Sequence, residues 1–311
     1  MSWSVDLPLR GPGKEPIDLE RTFLSHGVAS LPPMKVGQRG EKFEATLALT
    51  GARPRTVEVV RAGRAARVSV SGRAPGTRTA DELVAKVGHV LRFDEDLSDF
   101  YALASDDPDL AWVTLGAGRM VRSATVFEEV VKTICTTNCA WSATVRMVTA
   151  LVQHLGEPAA GVSSTDWEGH AFPSPEAIAG AGEKFFKEVV RAGYRGPYLI
   201  ALARSVRDGE LDLEVLGRAT PDEISDEEVE QTLLALPGVG PYAAAHVMMM
   251  LGRYSRLILD SWTRPTYARI VGKRSVADAT IARRFRRFGP YAGLAFWLFL
   301  TRTWIEEEAA P

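Results

Sequence analysis

Cysteine is scarce in this chain, with two in 311 residues. Cys135 and Cys139 stand four apart, so on one helix they face the same way at a geometry unsuited to a disulfide, and we expect reduced thiols. Four thiolates for an iron–sulfur cluster are absent, and no further ligands at suitable spacing make the pair a zinc site. No apolar run reaches the ~18 residues of a membrane span. The N-terminus lacks a secretory signal pattern, so the expectation is a cytoplasmic protein with no membrane partner. An excess of either charge is missing too: 37 Lys and Arg against 39 Asp and Glu give a net charge of −2. That balance excludes binding a polyanion through bulk charge and leaves only local patches for such contact.

What is present divides at about residue 78. In 1–78, residues 42–49 alternate Phe43, Ala45, Leu47 and Leu49 against Glu44 and Thr46, and 56–60 and 67–71 are β-branched runs between Gly- and Arg-rich turns. This pattern predicts an antiparallel meander with one buried face. From 79 to 311 the period becomes helical. Thr79-Ala-Asp-Glu82 reads as a capping signature, and helical stretches follow at 94–103, 126–155, 174–179, 183–192, 198–208, 225–236, 242–251, 275–288 and 291–307. Residues 156–173 have no periodicity and read as a long surface connection, closed by Ser174 as a cap and Pro175 at the first helical position. The fold class expected is α+β, an antiparallel sheet domain followed by a mainly helical region.

The most informative segment is Leu236-Pro-Gly-Val-Gly-Pro-Tyr242. Pro237 stops one helix, and Gly238 and Gly240, around Val239, allow a tight turn whose amides no side chain screens. The helix that follows adds free N–H groups and the positive end of its dipole, so the hairpin 236–241 suits a phosphate oxygen. A plain turn between helices is the alternative. Eighteen residues after Tyr242, the apolar Leu257-Ile258-Leu259 runs into Asp260-Ser-Trp262. An acid there sits at the core's edge, partly desolvated, where it can also cap the next helix. A fixed carboxylate stabilises an oxocarbenium-like sugar and orients water.

The hairpin followed by Asp260 resembles the signature of the helix-hairpin-helix DNA glycosylases, the superfamily of 8-oxoguanine glycosylase and the bacterial inducible 3-methyladenine glycosylase. Cys135-Thr-Thr-Asn138, Gly169-His-Ala-Phe-Pro-Ser174, Gly193-Tyr-Arg195 with Tyr198, and Gly289-Pro-Tyr-Ala-Gly293 look like the 8-oxoguanine branch, in order along nearly the whole chain. The resemblance implies a TBP-like N-terminal sheet and an active-site cleft between helical subdomains. Its partner would be double-stranded DNA containing a damaged base, bound by a monomer that in a bacterium would work on the nucleoid. Asp260 would be catalytic. Asn138, Tyr194 and Arg195 would meet the duplex where the nucleotide has left it, with Gly238, Val239 and Gly240 on the backbone. The carbonyls of Leu234, Leu236 and Val239 would hold a monovalent cation, K+ or Na+, and no cofactor would be required. Read without the resemblance, Asn138 could break a helix, Tyr194 could be core and Arg195 a solvated charge.

Three departures bear on chemistry. The family's bifunctional lysine falls at Tyr242, and a phenol forms no imine, so water is the expected nucleophile, without lyase activity. The arginine that helps read the opposite cytosine falls at Ala143, and the glutamine that bonds the oxidised guanine at Phe296. An aromatic pocket of Tyr242, Trp262, Phe296 and Trp297 suits a cationic base such as an alkylated purine, which leaves without a dedicated acid. The alternative is a catalytically silent lesion- or structure-specific DNA-binding protein on the same scaffold. Arg283 to Arg287 reads as a solvated face, and His246 as a satisfied core histidine.

Overall fold

The computed structural model describes residues 3–162 and 165–304. Five strands, β1 (Ser4–Pro8), β2 (Met34–Val36), β3 (Lys42–Leu49), β4 (Ala52–Ala62) and β5 (Ala65–Val70), form one antiparallel sheet in the order β1-β5-β4-β3-β2. Pairing sets Phe43 opposite Val59, Ala45 opposite Val57, and Val59 opposite Val68, so the alternating apolar residues share one buried face. β1 and β2 were not expected, because five- and three-residue strands carry too little alternation to register. Against the buried face lies the helix Thr77–Val90, whose Leu83, Val87 and Val90 join the sheet's core. That helix starts two residues before the Thr79 signature, capped by Gly76 with no side-chain bond.

The remainder of the described chain is mostly helical, and its apolar residues form two further cores. The helix Pro241–Met250 separates them. Ala243, Ala244, Val247 and Met248 face one core, while Ala245, Met249 and Met250 face the other. A helix apolar on all sides must be buried on all sides, which is why this one runs through the middle. Arg92, fully buried, fixes its far end: Nε donates to Met120 O at 2.9 Å, and Nη2 donates to the carbonyls of Met249 and Met250. A cation at a helix C-terminus satisfies orphan carbonyls and complements the dipole.

Residues 126–155 are not one helix but two, Val126–Thr136 and Trp141–Leu155. Asn138 breaks the run in a left-handed conformation with φ of 48°. Cys135 and Cys139 therefore lie across a kink. Burial pushes the Cys135 thiol up to about 12, so it is an inert core group. Ser174 caps the helix Pro175–Gly180 as expected, accepting from Ala177 N. The expected end of the last helix at 307 lies outside the described residues, as do residues 163–164 of the 156–173 connection. No helix among the described residues is long and apolar enough to cross a membrane.

Candidate active site and DNA interface

The hairpin is built as its sequence dictates. Ser225 and Glu228 form a reciprocal capping box that starts the helix Asp226–Leu234. Beyond it Val239 N donates to Leu236 O at 3.1 Å and closes the turn. Gly238 has φ of 84°, and a Cβ there would come within 2.8 Å of the Tyr198 ring. Two independent constraints thus require glycine. Gly240 caps the next helix with no side chain on its first-turn amides, and Pro241 stands in the first turn. Those N–H groups are left to an incoming acceptor. Gly238→Ala is expected to cost about 1–3 kcal/mol of stability and to weaken duplex binding, checked by denaturant unfolding and binding titration.

Tyr242 follows at the seam of the two helical cores and packs against both. Its phenol lies 3.3 Å from the Thr136 hydroxyl, and burial, with Asp260 nearby, raises its pKa. Asp260 is half-buried. Its Oδ1 accepts from Trp262 N at 2.8 Å and Thr263 N at 2.6 Å, while its own N–H donates to Thr263 Oγ1 at 2.8 Å. Asp260 therefore does cap the helix Thr263–Ile270, and that cap fixes the carboxylate in one orientation. Oδ2 takes no hydrogen bond from the described residues.

Trp262, 39% exposed, stands two residues on. Its ring lies 5.6 Å from both Trp297 and Trp304, which are 5.8 Å apart, making a three-tryptophan cluster. Trp297 is buried behind Trp262 and its Nε1 donates to Ser25 O at 2.8 Å. Trp304 escaped the sequence reading because it falls beyond the recognised motifs. Phe296 does not belong to the pocket. It is fully buried against Tyr267 and Phe285, since one step along a helix turns its ring about 100° from Trp297 and into the core. One cavity, lined by Ser25, Trp112, Leu298 and Trp304, adjoins the tryptophan cluster, and another of about 660 Å³ is lined by Phe186, Arg191 and Ile200.

Asn138, Tyr194 and Arg195 do come together. Asn138 Nδ2 donates to Tyr194 OH at 3.3 Å, and Tyr194 is 50% exposed. Arg195 differs from expectation. It is buried, its guanidinium lies 4.5 Å from the Tyr194 ring centroid, and it donates to the carbonyls of Thr137 and Ala192. It ties the Asn138 kink to the loop preceding the helix Arg195–Arg207, so it presents Asn138 and Tyr194 and does not itself project. Arg195→Ala is expected to cost roughly 2–3 kcal/mol, as buried charge-assisted bonds are lost. Opposite-base preference should stay as it is, which unfolding and duplex-binding measurements would read separately.

His246 is buried as expected but is not satisfied. Its Nε2 has no hydrogen-bond partner among the described residues and faces Glu129 Oε1 at 3.9 Å. His26 packs edge-on at 5.9 Å, with its own Nδ1 unpartnered. Nothing in the sequence links residues 26, 129 and 246, which only folding brings together. In the arginine run, Arg284 and Arg287 pair with Asp109 and Asp107.

No family model matches the chain. A curated DNA-3-methyladenine glycosylase from Bacillus subtilis is 24% identical over 179 residues, covering 56% of this chain and 55% of that protein. The chain thus spans about half the length of that relative. A solved 3-methyladenine DNA glycosylase from Archaeoglobus fulgidus superposes with a TM-score of 0.71 at 22% identity, covering 96% of this chain and 98% of the other. The 8-oxoguanine glycosylase/lyase of Clostridium acetobutylicum, bound to double-stranded DNA with cytosine opposite 8-oxoguanine, gives 0.69 at 21%, covering 94% of each. An N-terminal five-stranded antiparallel sheet and a mainly helical remainder carrying a hairpin give this chain the fold of the solved 3-methyladenine and 8-oxoguanine DNA glycosylases.

Proposed function

We propose that this protein is a monofunctional DNA glycosylase of base-excision repair. It everts a damaged purine, alkylated by preference, and hydrolyses its N-glycosidic bond with Asp260. The observation that carries the reading is the capped, half-buried Asp260 carboxylate, one oxygen tied to two amides and the other without a hydrogen bond among the described residues, next to Tyr242 at the seam of two cores. The C1′–N bond breaks with its electron pair going to the base. The developing positive sugar is stabilised by Asp260, which also takes the proton of the water that adds to C1′. Trp262 and Tyr242 offer ring faces to a cationic base, worth roughly 0.5–2 kcal/mol per contact. The fold shared with solved glycosylases supports the same reading.

The hairpin amides around Gly238, Val239 and Gly240 would grip a phosphate, and exposed Tyr194 with Asn138 would fill the gap the nucleotide leaves. The carbonyls of Leu234, Leu236 and Val239 are neutral oxygen donors at one turn, a set that fits a monovalent cation bridging protein and phosphate. Leu236 O already accepts from Val239 N, so a cation would use its second lone pair. Hairpin and carboxylate lie on one chain, so the reaction needs no second copy. The test is incubation with duplexes bearing alkylated, deaminated and oxidised bases, reading released bases by mass spectrometry. Release of an alkylated purine, with strand breaks only after hot alkali, is expected. Tight lesion binding with no release from any duplex would instead make the protein a silent binder.

A further inference from the structure

We propose that His246, oriented by Glu129, is the general acid that protonates the departing base, which extends the substrate range from cationic to neutral purines. The inference rests on the glycosylase reading above and adds a second titratable group to a site that Asp260 alone supplies with charge.

Four observations carry it. His246 lies one helical turn after Tyr242, with ring centroids 6.2 Å apart, and is 5% exposed. Side chains four apart on a helix share a face, so the imidazole stands directly beside the phenol at the seam. Its Nε2 is sealed in the protein with no hydrogen-bond partner among the described residues, a costly state. The group opposite is the Glu129 carboxylate, 97% buried, whose Oε2 is taken by Ser123 N at 3.0 Å and whose Oε1 is unpartnered and turned to the imidazole. At 3.9 Å the pair is too long for a hydrogen bond yet close enough to attract a charged ring and fix its orientation. Glu129 stands on the Nε2 side of the ring, which leaves Nδ1 as the nitrogen to deliver a proton.

The groups facing this imidazole are Glu129 from the helix Val126–Thr136, His26 from the turn before Gly27–Ser30, Tyr242 on its own helix, and Asp260 across the seam. Lys132 acts on His26 behind it and is itself paired with Glu128 at 2.6 Å. Burial lowers the His246 pKa, opposed by Glu129 and Asp260, and burial with His246 holds His26 at about 4. Both rings are mostly neutral at neutral pH, and His246 is the one with two carboxylates to support a charge as pH falls.

In the step itself, the C1′–N bond breaks with its electron pair moving into the base, and the His246 imidazolium delivers its Nδ1 proton to a base ring nitrogen. Water adds to C1′ and gives its proton to Asp260, and both side chains re-equilibrate with solvent. A cationic purine already carries the charge this proton would supply, so it gains little, whereas a neutral base depends on it.

The experiment compares release of cationic 7-methylguanine and neutral hypoxanthine from duplex DNA between pH 5.5 and 8.5, for the parent, His246→Gln and Glu129→Gln. In the parent, hypoxanthine release should rise relative to 7-methylguanine release as pH falls, because the protonated ring becomes more populated. His246→Gln should lower that ratio about 10²-fold and flatten its pH dependence. Glu129→Gln should shift the dependence to lower pH. Release of 7-methylguanine reports folding in the same sample. Equal losses of both bases, or an unchanged pH profile, would overturn the proposal. So would a parent that releases 7-methylguanine but no hypoxanthine, leaving the glycosylase reading in place. A parent that releases neither base overturns that reading itself.

Discussion

Asp260→Asn is expected to slow base release by on the order of 10³-fold while leaving duplex affinity and stability close to the parent's. The asparagine is isosteric and keeps an oxygen for the amides of Trp262 and Thr263, so the helix Thr263–Ile270 keeps its cap. What it loses is the negative charge that the oxocarbenium-like sugar requires, and the acceptor for the proton of the attacking water. Single-turnover release from a lesion duplex, beside thermal unfolding and binding titration, separates these effects. A variant as fast as the parent would eliminate Asp260 as the catalytic group. A variant that fails to fold would instead assign the carboxylate to capping, with Asp260→Ser, which also caps, as the control.

Tyr242→Lys is expected to convert the protein from one that forms no covalent adduct into one that borohydride traps on lesion DNA. Position 242 lies at the seam, near enough for the Asp260 charge to raise the phenol's pKa. Burial there disfavours a charged ammonium, so an introduced lysine would keep a larger neutral fraction able to attack C1′. The amine forms a Schiff base once the base departs, reduction fixes it, and the strand nicks without alkali. The parent, with a phenol, should give no trapped complex and alkali-dependent breaks only. A parent that traps with similar yield would place an active amine elsewhere and overturn the monofunctional reading. Thr136, which meets the phenol at 3.3 Å, stands within hydrogen-bond reach of a lysine amine at this position and would hold it there, so Tyr242→Lys with Thr136→Ala is the companion variant if the first binds DNA but does not trap.

The legible and hidden parts of the site divide by distance along the chain. Pro237, Gly238, Gly240 and Pro241 dictate their turn through local backbone sterics, and Asp260 follows an apolar triplet and caps the helix beside it. Asn138 reads in the sequence either as a duplex contact or as a helix breaker, and the helical period of its neighbours favours one continuous helix over 126–155. The helical period runs across a single left-handed residue without interruption, so the backbone decides that Asn138 breaks the helix. Phe296 and Trp297 are adjacent in sequence, and only the helix's rotation decides that one ring enters the core and the other backs Trp262.

The sequence by itself determined the sheet's buried face, the hairpin, the capping role of Asp260 and the aromatic identity of position 242, because each depends on period, backbone freedom or a neighbour within a few residues. Only the tertiary structure decided that Arg195 ties two loops together, that Trp304 completes a tryptophan cluster, that Arg92 closes the end of the central helix, and that His26, Glu129 and His246 share a buried nest. Those contacts join residues from 42 to 220 positions apart. Two of them, at Arg92 and at His246, exist because the apolar helix Pro241–Met250 must be covered on all sides, which draws polar groups from distant segments around it.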